Sequence, residues 1–471
     1  MQYISTRGGG AARTFTETLL EGLASDGGLA VPADLPTISA EHLQQWRSLS
    51  YAELAGNVIG LFATDIPRPD LMRLCQAAYT PAVFASEVPL RAIDDQLTLV
   101  GLSEGPTLAF KDMAMQFLGH ALEYALERTG GVLNVLGATS GDTGSAAEHA
   151  LRGMDRIAVF MLSPQGRMSD FQRAQMYSLQ DDNIHNLAVE GVFDDCQDLV
   201  KELSGDPAFR STHHLGAVNS INLARVTAQI VYYVWAWLRA TDDQQTHEVS
   251  FAVPSGNFGN ILSGHYARQM GLPIRQLVLA ANENNVLDEF FRTGIYRPRA
   301  ADQTPSTSSP SMDISRASNF ERFVYDLQGR DPQRVQACWS ELASTGAIDL
   351  SDETDRFAAE FGFVSGTSTH RDRLETIRSV YDATGQLIDP HTADGVAVAR
   401  RYATGDVPML VLETAKPEKF SQTIHEAIGV ELELSPALHT MMSAEQRVTS
   451  IPASAAALRE FIGERALKAG P

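Results

Sequence analysis

Two kinds of hydrophobic pattern alternate along the chain between about residues 96 and 295. Helical spacing, with apolar residues three or four positions apart, runs from 115 to 126 and extends over most of 222–240. Short continuous apolar runs stand between such segments and predict buried strands at 132–136, 157–162, 187–189, 251–253 and 277–280. Strands that alternate with helices form parallel sheets with helical crossovers. We therefore predict an α/β protein with doubly wound parallel sheets.

The rest of the chain shows different sequence patterns. Glycine-rich turns separate helical patterns in the first 95 residues, and the hundred or so residues after 295 look mostly helical. The segment 296–311 is rich in proline, serine and threonine, so it predicts a loop that is either a surface linker or a mobile lid. The predicted domains are an N-terminal lobe (1–95), a large domain (96–130 and 240–435), a small α/β domain (131–239) and a C-terminal segment (436–471).

Composition narrows the range of partners. The 471 residues include 37 Lys and Arg against 58 Asp and Glu, which gives a formal net charge of −21. Such a surface repels nucleic acids and anionic membranes. It still allows a small anionic substrate, because salt screens bulk charge over about 8 Å and a local cluster of donors dominates inside a cleft. The cysteines Cys75, Cys196 and Cys338 are far apart, and no signal peptide or membrane span is present, so we expect a cytoplasmic protein.

Lys111 is the first candidate for chemistry. It follows the apolar residues Leu108, Ala109 and Phe110 in the segment 105–112. Desolvation by such neighbours favours the neutral amine that a Schiff base requires. A lysine that merely begins a helix would have the same local sequence, so this segment alone leaves both interpretations open.

Two later segments share one pattern with each other. Residues 140–144 (Ser-Gly-Asp-Thr-Gly) and 255–260 (Ser-Gly-Asn-Phe-Gly-Asn) each follow a predicted strand and open a predicted helix. The first N–H groups of a helix have no internal partner and carry positive potential, so glycines there let the backbone close around a carboxylate or phosphate. Either turn alone could be an ordinary helix cap. We expect both to lie at the carboxyl ends of strands in one sheet system, where open α/β proteins bind ligands.

Motifs for other chemistry are missing from the sequence. It contains no Walker loop and no His-Glu-x-x-His. The pair His213-His214 has no further ligand at suitable spacing, so no metal site is expected.

Five segments together resemble the threonine synthases, pyridoxal-phosphate enzymes with the tryptophan-synthase β-subunit fold; they are 107–112, 138–144, 219–225, 254–260 and 412–417. The N-terminal lobe resembles that of the longer bacterial and fungal members. The likeness covers nearly the whole chain, although 330–385 is longer than in the shorter bacterial members. It implies a fold type II pyridoxal-phosphate enzyme with two doubly wound parallel-sheet domains and an N-terminal lobe.

The resemblance also implies roles for matching residues. Lys111 would hold pyridoxal 5'-phosphate through a Schiff base and act in catalysis. The other residues implied to bind the cofactor are Gly256, Asn257, Phe258, Gly259, Asn260 and Thr414. Those implied to bind the substrate are Thr139, Ser140, Gly141, Asp142, Thr143, Asn219 and Arg225. Among them, 140–143 would hold the α-carboxylate, and Asn219 and Arg225 the departing phosphate. His391 either belongs to a family motif near the site or is a structural histidine.

The implied reaction is that of a carbon–oxygen lyase acting on phosphate. O-phospho-L-homoserine and water would give L-threonine and phosphate, the last step of threonine biosynthesis. One alternative is a serine or threonine dehydratase of the same fold, which needs no phosphate-binding Arg225. The other is a non-catalytic homologue that binds a phosphorylated ligand and needs no Schiff-base lysine. We expect the small molecule O-phospho-L-homoserine as the partner, and neither nucleic acid nor membrane. We also expect the protein to be a monomer or a weak homo-oligomer.

Overall fold

The computed structural model describes residues 1–139, 141–242 and 247–469. The strands are β1 (Tyr3–Ser5), β2 (Ala30–Pro32), β3 (Leu90–Ala92), β4 (Leu97–Gly101), β5 (Leu133–Ala138), β6 (Ile157–Pro164), β7 (Ile184–Glu190), β8 (Leu215–Gly216), β9 (Val249–Pro254), β10 (Ile274–Ala281), β11 (Ile295–Tyr296), β12 (Ile348–Asp349), β13 (Phe363–Thr367), β14 (Met409–Glu413) and β15 (Thr449–Pro452).

The α-helices are α1 (Phe15–Glu21), α2 (Ala40–Trp46), α3 (Tyr51–Gly60), α4 (Arg68–Ala78), α5 (Lys111–Thr129), α6 (Asp142–Leu151), α7 (Asp170–Tyr177), α8 (Phe193–Ser204), α9 (Pro207–Thr212), α10 (Leu223–Ala240), α11 (Gly259–Gln269), α12 (Val286–Thr293), α13 (Phe320–Leu327), α14 (Pro332–Thr345), α15 (Thr354–Ala359), α16 (His370–Thr384), α17 (Pro390–Ala399), α18 (Ser421–Ile428), α19 (Pro436–Ser443) and α20 (Ala455–Arg465). In the part of the chain that is described, no helix combines the length and the apolar character needed to cross a membrane.

The chain divides into two compact units. Unit 1 comprises Met1–Thr18, Leu23–Glu104 and Ser220–Leu432, and unit 2 comprises Leu19–Gly22, Gly105–Asn219 and Glu433–Pro471. The domain boundaries predicted from the sequence stay a prediction.

Unit 1 is built on a six-stranded sheet in the order β13-β10-β9-β14-β4-β3. All neighbours are parallel except the edge pair β3 and β4. The central strands β9 and β14 are buried along their whole length, as parallel strands covered on both faces must be. One face packs against α17, where Val396 and Val398 meet Ala252 and Val411 in a continuous apolar core.

Unit 2 is built on a five-stranded sheet in the order β15-β7-β6-β5-β8, with every pair parallel. Its core joins strand residues such as Phe160 and Leu187 to Cys196 of α8 and Ile462 of α20. The α/β class with parallel sheets, predicted from the alternating pattern, is confirmed, and so are the two sheet domains that the resemblance implies.

One expectation about the sheets is wrong. The turns after β5 and β9 do not follow strands of one sheet, because β5 belongs to the sheet of unit 2 and β9 to that of unit 1. The region after 295 contains α13 to α18, as its helical pattern predicts, and it also supplies β13 and β14 to the six-stranded sheet. Ser365 and Gly366 interrupt the apolar run of β13, which removes the signal that identifies a buried strand.

Candidate active site

Lys111 is the first residue of α5, and a buried carboxylate holds the turn before it. Thr107 donates from its backbone N–H and its hydroxyl to Asp112, at 2.8 and 2.7 Å. Leu108 in this turn has a φ of 54°, which is strained for a side chain of its size. The Lys111 side chain is 16% exposed, and its Nζ lies 4.0 Å from Oδ2 of Asp142. The tight turn therefore fixes the backbone of Lys111, whose amine lies beside the glycine-rich turn that opens α6.

The hydroxyl of Thr139 stabilises the glycine-rich turn that opens α6. Its hydroxyl oxygen accepts hydrogen bonds from the N–H groups of Gly141 at 3.0 Å and Gly144 at 2.9 Å. Gly141 has a φ of 141°, and a Cβ there would lie 2.4 Å from the Gln172 side chain. Only glycine fits this conformation and this space. The turn thus has a fixed shape, with two of its amides already bonded within the turn.

The remaining predicted substrate residues of unit 2 differ in their surroundings. Ser140 lies outside the described residues. Asp142 is buried, whereas Thr143 is exposed on the first turn of α6. Asn219 is exposed in the connection between β8 and α10. The structure therefore brings Lys111 close to Asp142, but it shows no hydrogen bond that ties Asn219 in place among the described residues.

The turn 255–260 of unit 1 connects β9 to α11 and contains a strained residue. Phe258 has a φ of 64°, a left-handed conformation that is uncommon for a bulky side chain. Its ring is 1% exposed and packs among Phe291, Phe320, Phe323 and Phe363, with centroid distances of 5.6 to 6.1 Å. This packing fixes the turn in a conformation that its backbone alone would not favour.

A segment that we call the strap, residues 305–319, packs against the same turn. A Cβ on Gly256 would lie 3.1 Å from the carbonyl oxygen of Ser311 and 3.2 Å from Cα of Met312. Asn257 accepts from the N–H of Asn319 at 3.1 Å and from the hydroxyl of Ser318 at 3.2 Å. Gly256 is therefore required for close approach of two backbone segments.

Further hydrogen bonds anchor the strap to unit 1. Asn282 and Asn284 donate to Asp313 at 2.8 and 2.9 Å, and Arg373 donates to Ser308 at 2.8 Å. The segment 296–311 is a loop as predicted, with two short 3-10 helices. These bonds favour an anchored strap over a mobile lid.

Two buried polar atoms on the turn 255–260 remain unsatisfied. Neither Oγ of Ser255 nor Nδ2 of Asn260 has a hydrogen-bond partner in the described ranges. Buried polar groups are nearly always bonded, so each unsatisfied group needs an explanation. Both atoms belong to a strand-to-helix turn, where free N–H groups also collect. The turn thus carries hydrogen-bond donors for which the described residues provide no acceptor.

Arg225 on α10 is a buried cation. It is 3% exposed, and its Nε and Nη1 have no hydrogen-bond partner among the residues described. Burial lowers the pKa of Arg225 to about 10, and no described carboxylate forms an ion pair with it. A buried charge without a partner is costly. The site around Arg225 therefore fits an anion.

Thr414 follows directly after β14 and is buried. Its N–H donates to the hydroxyl of Thr392 at 3.4 Å. The preceding Glu413 accepts from Ser103 at 3.1 Å and pairs with Arg91 and Lys416. These contacts fix the backbone that presents the Thr414 hydroxyl.

His391 has both ring nitrogens engaged. Nε2 accepts from the N–H of Ser311 at 3.1 Å, and Nδ1 lies 2.7 Å from Oδ1 of Asp389. Because Nε2 accepts, the ring proton is on Nδ1 and is donated to Asp389. These contacts support the structural alternative, in which His391 positions the strap, over a role as a base.

Three family models together match most of the chain. "Threonine synthase N terminus" matches residues 2–79, "Pyridoxal-phosphate dependent enzyme" matches 80–348, and "Threonine synthase, C-terminal" matches 392–462. The threonine synthase of Methylobacillus glycogenes is 52% identical, with 98% of this chain and 100% of that protein aligned. This chain belongs to the threonine synthase family.

Two further comparisons agree with this membership of the threonine synthases. The threonine synthase of Corynebacterium glutamicum is 52% identical, over 98% of each chain. The crystal structure of pyridoxal-phosphate-bound threonine synthase from Brucella melitensis has a TM-score of 0.95 and 40% identity, and the match covers 99% of this chain and 100% of that one. The chain is thus a pyridoxal-phosphate-dependent enzyme of fold type II. The predicted cofactor and the predicted fold type are both confirmed.

Three residues that contribute to these sites were not predicted from the sequence. Asp112 holds the turn before Lys111, and Tyr232 and Tyr233 bond to Asn260. The adjacent tyrosines in α10 looked like ordinary core residues, because a helical pattern does not show which hydroxyl reaches a polar partner on another element.

Proposed function

We propose that this threonine synthase converts O-phospho-L-homoserine and water into L-threonine and phosphate. The bond from Cγ to the phosphate oxygen breaks, and water adds at Cβ. The observation that supports this substrate best is Arg225, a buried guanidinium with two nitrogens that no described residue bonds. An enzyme that acts on an unphosphorylated amino acid would have no need of such a cation.

The residues of unit 1 fit the phosphate of the cofactor. Ser255 Oγ and Asn260 Nδ2 are unsatisfied donors on the turn that opens α11, and a helix N-terminus favours a phosphate. The close contact of the strap with Gly256 leaves no room for a side chain at position 256. We assign the cofactor phosphate to Gly256, Asn257, Phe258, Gly259 and Asn260.

Pyridoxal phosphate, when bound, supplies an electron sink for negative charge that develops on the substrate. We assign Thr414 to its pyridine nitrogen. A hydroxyl cannot stabilise a protonated ring as a carboxylate can, which makes the sink weaker and suits elimination and replacement.

Lys111 is the proposed point of covalent attachment of the cofactor and the proposed base. Once displaced by the substrate amine, its Nζ can take the proton from Cα and return protons at later stages. Asp142, 4.0 Å away, stabilises the charged form of the amine. The turn before α5 fixes the backbone from which the Lys111 side chain extends.

We assign the α-carboxylate of the substrate to the turn 139–143. Thr139 already uses the amides of Gly141 and Gly144. The N–H group of Thr143 in the first turn of α6 is therefore the proposed donor, because the first N–H groups of a helix have no partner within the helix. Thr139, on this proposal, shapes the turn.

We assign the substrate phosphate to Arg225 and Asn219. Planar guanidinium groups bind phosphate oxygens bidentately, and removing one partner of a desolvated pair costs about 2–5 kcal/mol. Arg225→Ala should therefore lower kcat/KM for O-phospho-L-homoserine by about two orders of magnitude or more. Arg225→Lys should recover only part of this loss, since it offers a point charge.

The experiment is a phosphate-release assay on the wild type and both variants. Saturation with pyridoxal phosphate should remain unchanged, which separates substrate binding from cofactor loss. Normal phosphate release by Arg225→Ala would overturn the assignment of the substrate phosphate to this residue.

We further propose a cytoplasmic enzyme that is a monomer or a weak homo-oligomer and binds neither nucleic acid nor membrane. The net charge of −21 supports the absence of polyanionic partners. Sedimentation at several protein concentrations tests the oligomeric state; a stable complex that persists on dilution would contradict it.

A further inference from the structure

Two tyrosines of α10 bond to one side-chain oxygen on α11. The hydroxyl of Tyr232 donates to Oδ1 of Asn260 at 2.7 Å, and that of Tyr233 donates to the same atom at 3.0 Å. The single hydroxyl proton of Tyr233 is shared with the backbone carbonyl oxygen of Asn260, which lies 2.9 Å away. Oδ1 therefore accepts one full hydrogen bond from Tyr232 and a shared one from Tyr233.

This arrangement determines which way the amide of Asn260 faces. With both hydroxyls on Oδ1, the amide nitrogen points the other way, and Nδ2 has no protein partner in the described part of the chain. Burial raises the pKa of both tyrosines well above the usual value. Their hydroxyls therefore stay protonated and remain donors over the whole pH range in which the enzyme works.

The packing of the two helices keeps Tyr233 in place. A Cβ on Gly264 would lie 2.7 Å from Cε1 of Tyr233, so α11 can approach the ring only because residue 264 is glycine. On its other side the ring packs edge-on against Phe251, with centroids 4.8 Å apart. Tyr233 is fully buried, and a ring confined in this way cannot move its hydroxyl away from Asn260.

We propose that Tyr232 and Tyr233 are positioning residues for the cofactor phosphate, which hold the Nδ2 donor of Asn260 toward the anion. This inference rests on the proposed assignment of the turn 255–260 to that phosphate. A preorganised donor binds more tightly because it loses no rotational freedom on binding. Without the tyrosines the amide can turn its oxygen toward the anion, which is repulsive. The two tyrosines also lie on the helix that carries Arg225.

The test is the affinity of the cofactor-free full-length protein for pyridoxal phosphate. Tyr232→Phe and Tyr233→Phe should each weaken binding by about three- to tenfold, the value of one neutral hydrogen bond. The double variant should lose more than either. Tyr266→Phe is a matched control, because Tyr266 is buried on α11 and its hydroxyl has no described hydrogen-bond partner. Its affinity should equal that of the wild type.

Pyridoxal, which lacks the phosphate, distinguishes positioning from general destabilisation. The phenylalanine variants should bind pyridoxal as the wild type does, while their affinity for pyridoxal phosphate falls. Equal losses for both compounds would overturn the proposal, and so would unchanged affinity for pyridoxal phosphate.

Gly256→Val separates this inference from the assignment on which it rests. If Gly256→Val loses pyridoxal phosphate but the tyrosine variants retain it, the turn binds the phosphate and only the role of the tyrosines is wrong. If Gly256→Val also binds pyridoxal phosphate normally, the assignment of the turn itself is wrong.

Asn260→Asp is a second, independent test, in which the side chain of residue 260 keeps its size. The carboxylate can accept from both tyrosines but has no N–H donor, and it places a negative oxygen in the turn. It should weaken pyridoxal phosphate binding more than either tyrosine variant, again with little effect on pyridoxal. Binding of pyridoxal phosphate at wild-type affinity by Asn260→Asp would overturn the proposal.

Discussion

Arg373 donates to the carboxylate of Asp394 at 3.1 Å, and neither side chain is exposed to solvent. Arg373 also bonds to Glu283 and to Ser308 in the strap. This buried pair connects α16 and α17 to the segment that packs against Gly256. Burial raises the pKa of Asp394 to about 7, while the charge of Arg373 opposes this effect.

This pKa predicts a stability that depends on pH. The folded pKa of about 7 lies above the ordinary value of 3.8, so between these values the native state binds more protons than the unfolded chain. The free energy of unfolding contributed by Asp394 should therefore fall as pH rises through this range. The thermal unfolding midpoint of the wild type should fall relative to that of Asp394→Asn as pH rises from about 4 to 7. A parallel pH dependence of the two proteins would contradict this prediction.

A second prediction concerns Thr139, whose oxygen accepts two amides of the turn. Thr139→Val leaves the N–H groups of Gly141 and Gly144 without their acceptor, at a cost of about 1–3 kcal/mol each. The KM for O-phospho-L-homoserine should rise, because the turn no longer holds its shape. Thr139→Ser keeps the oxygen and is the control; its KM should stay close to that of the wild type. Equal effects of both substitutions would show that the oxygen does not brace the turn.

The sequence predicts the elements of these sites better than their surroundings. The turns at 140–144 and 255–260 are recognisable from glycines between a strand and a helix, which are local signals. That β5 and β9 belong to different sheets depends on strand pairing, which no local pattern contains. The strap contacts and the unpaired state of Arg225 depend on side chains far away in the chain, so they become visible only in three dimensions.

A third prediction tests the close contact at Gly256. Gly256→Val should weaken retention of pyridoxal phosphate, since its side chain collides with the backbone of the strap at Ser311 and Met312. Gly60→Ala in α3 is the control, because its Cβ would make only ordinary contact with Leu71, at 3.4 Å. The cofactor-to-protein ratio after gel filtration measures retention. Full occupancy in Gly256→Val would exclude this turn as the phosphate site.

The fourth prediction concerns covalent attachment. Borohydride reduction of the holoenzyme followed by peptide mapping should place the pyridoxyl group on Lys111, the lysine fixed at the start of α5. Lys111→Ala should bind pyridoxal phosphate without reducible attachment and should release no phosphate from the substrate. A pyridoxyl group on another lysine would contradict the assignment of both the attachment site and the base.

The reaction itself is tested most directly by the product balance of the wild-type enzyme. Incubation with O-phospho-L-homoserine should release inorganic phosphate and form L-threonine in equal amounts, with no free ammonia. Deamination of L-threonine or L-serine should be far slower under the same conditions. Release of ammonia and a 2-oxo acid in place of L-threonine, or no turnover of the phosphorylated substrate, would contradict the proposed function.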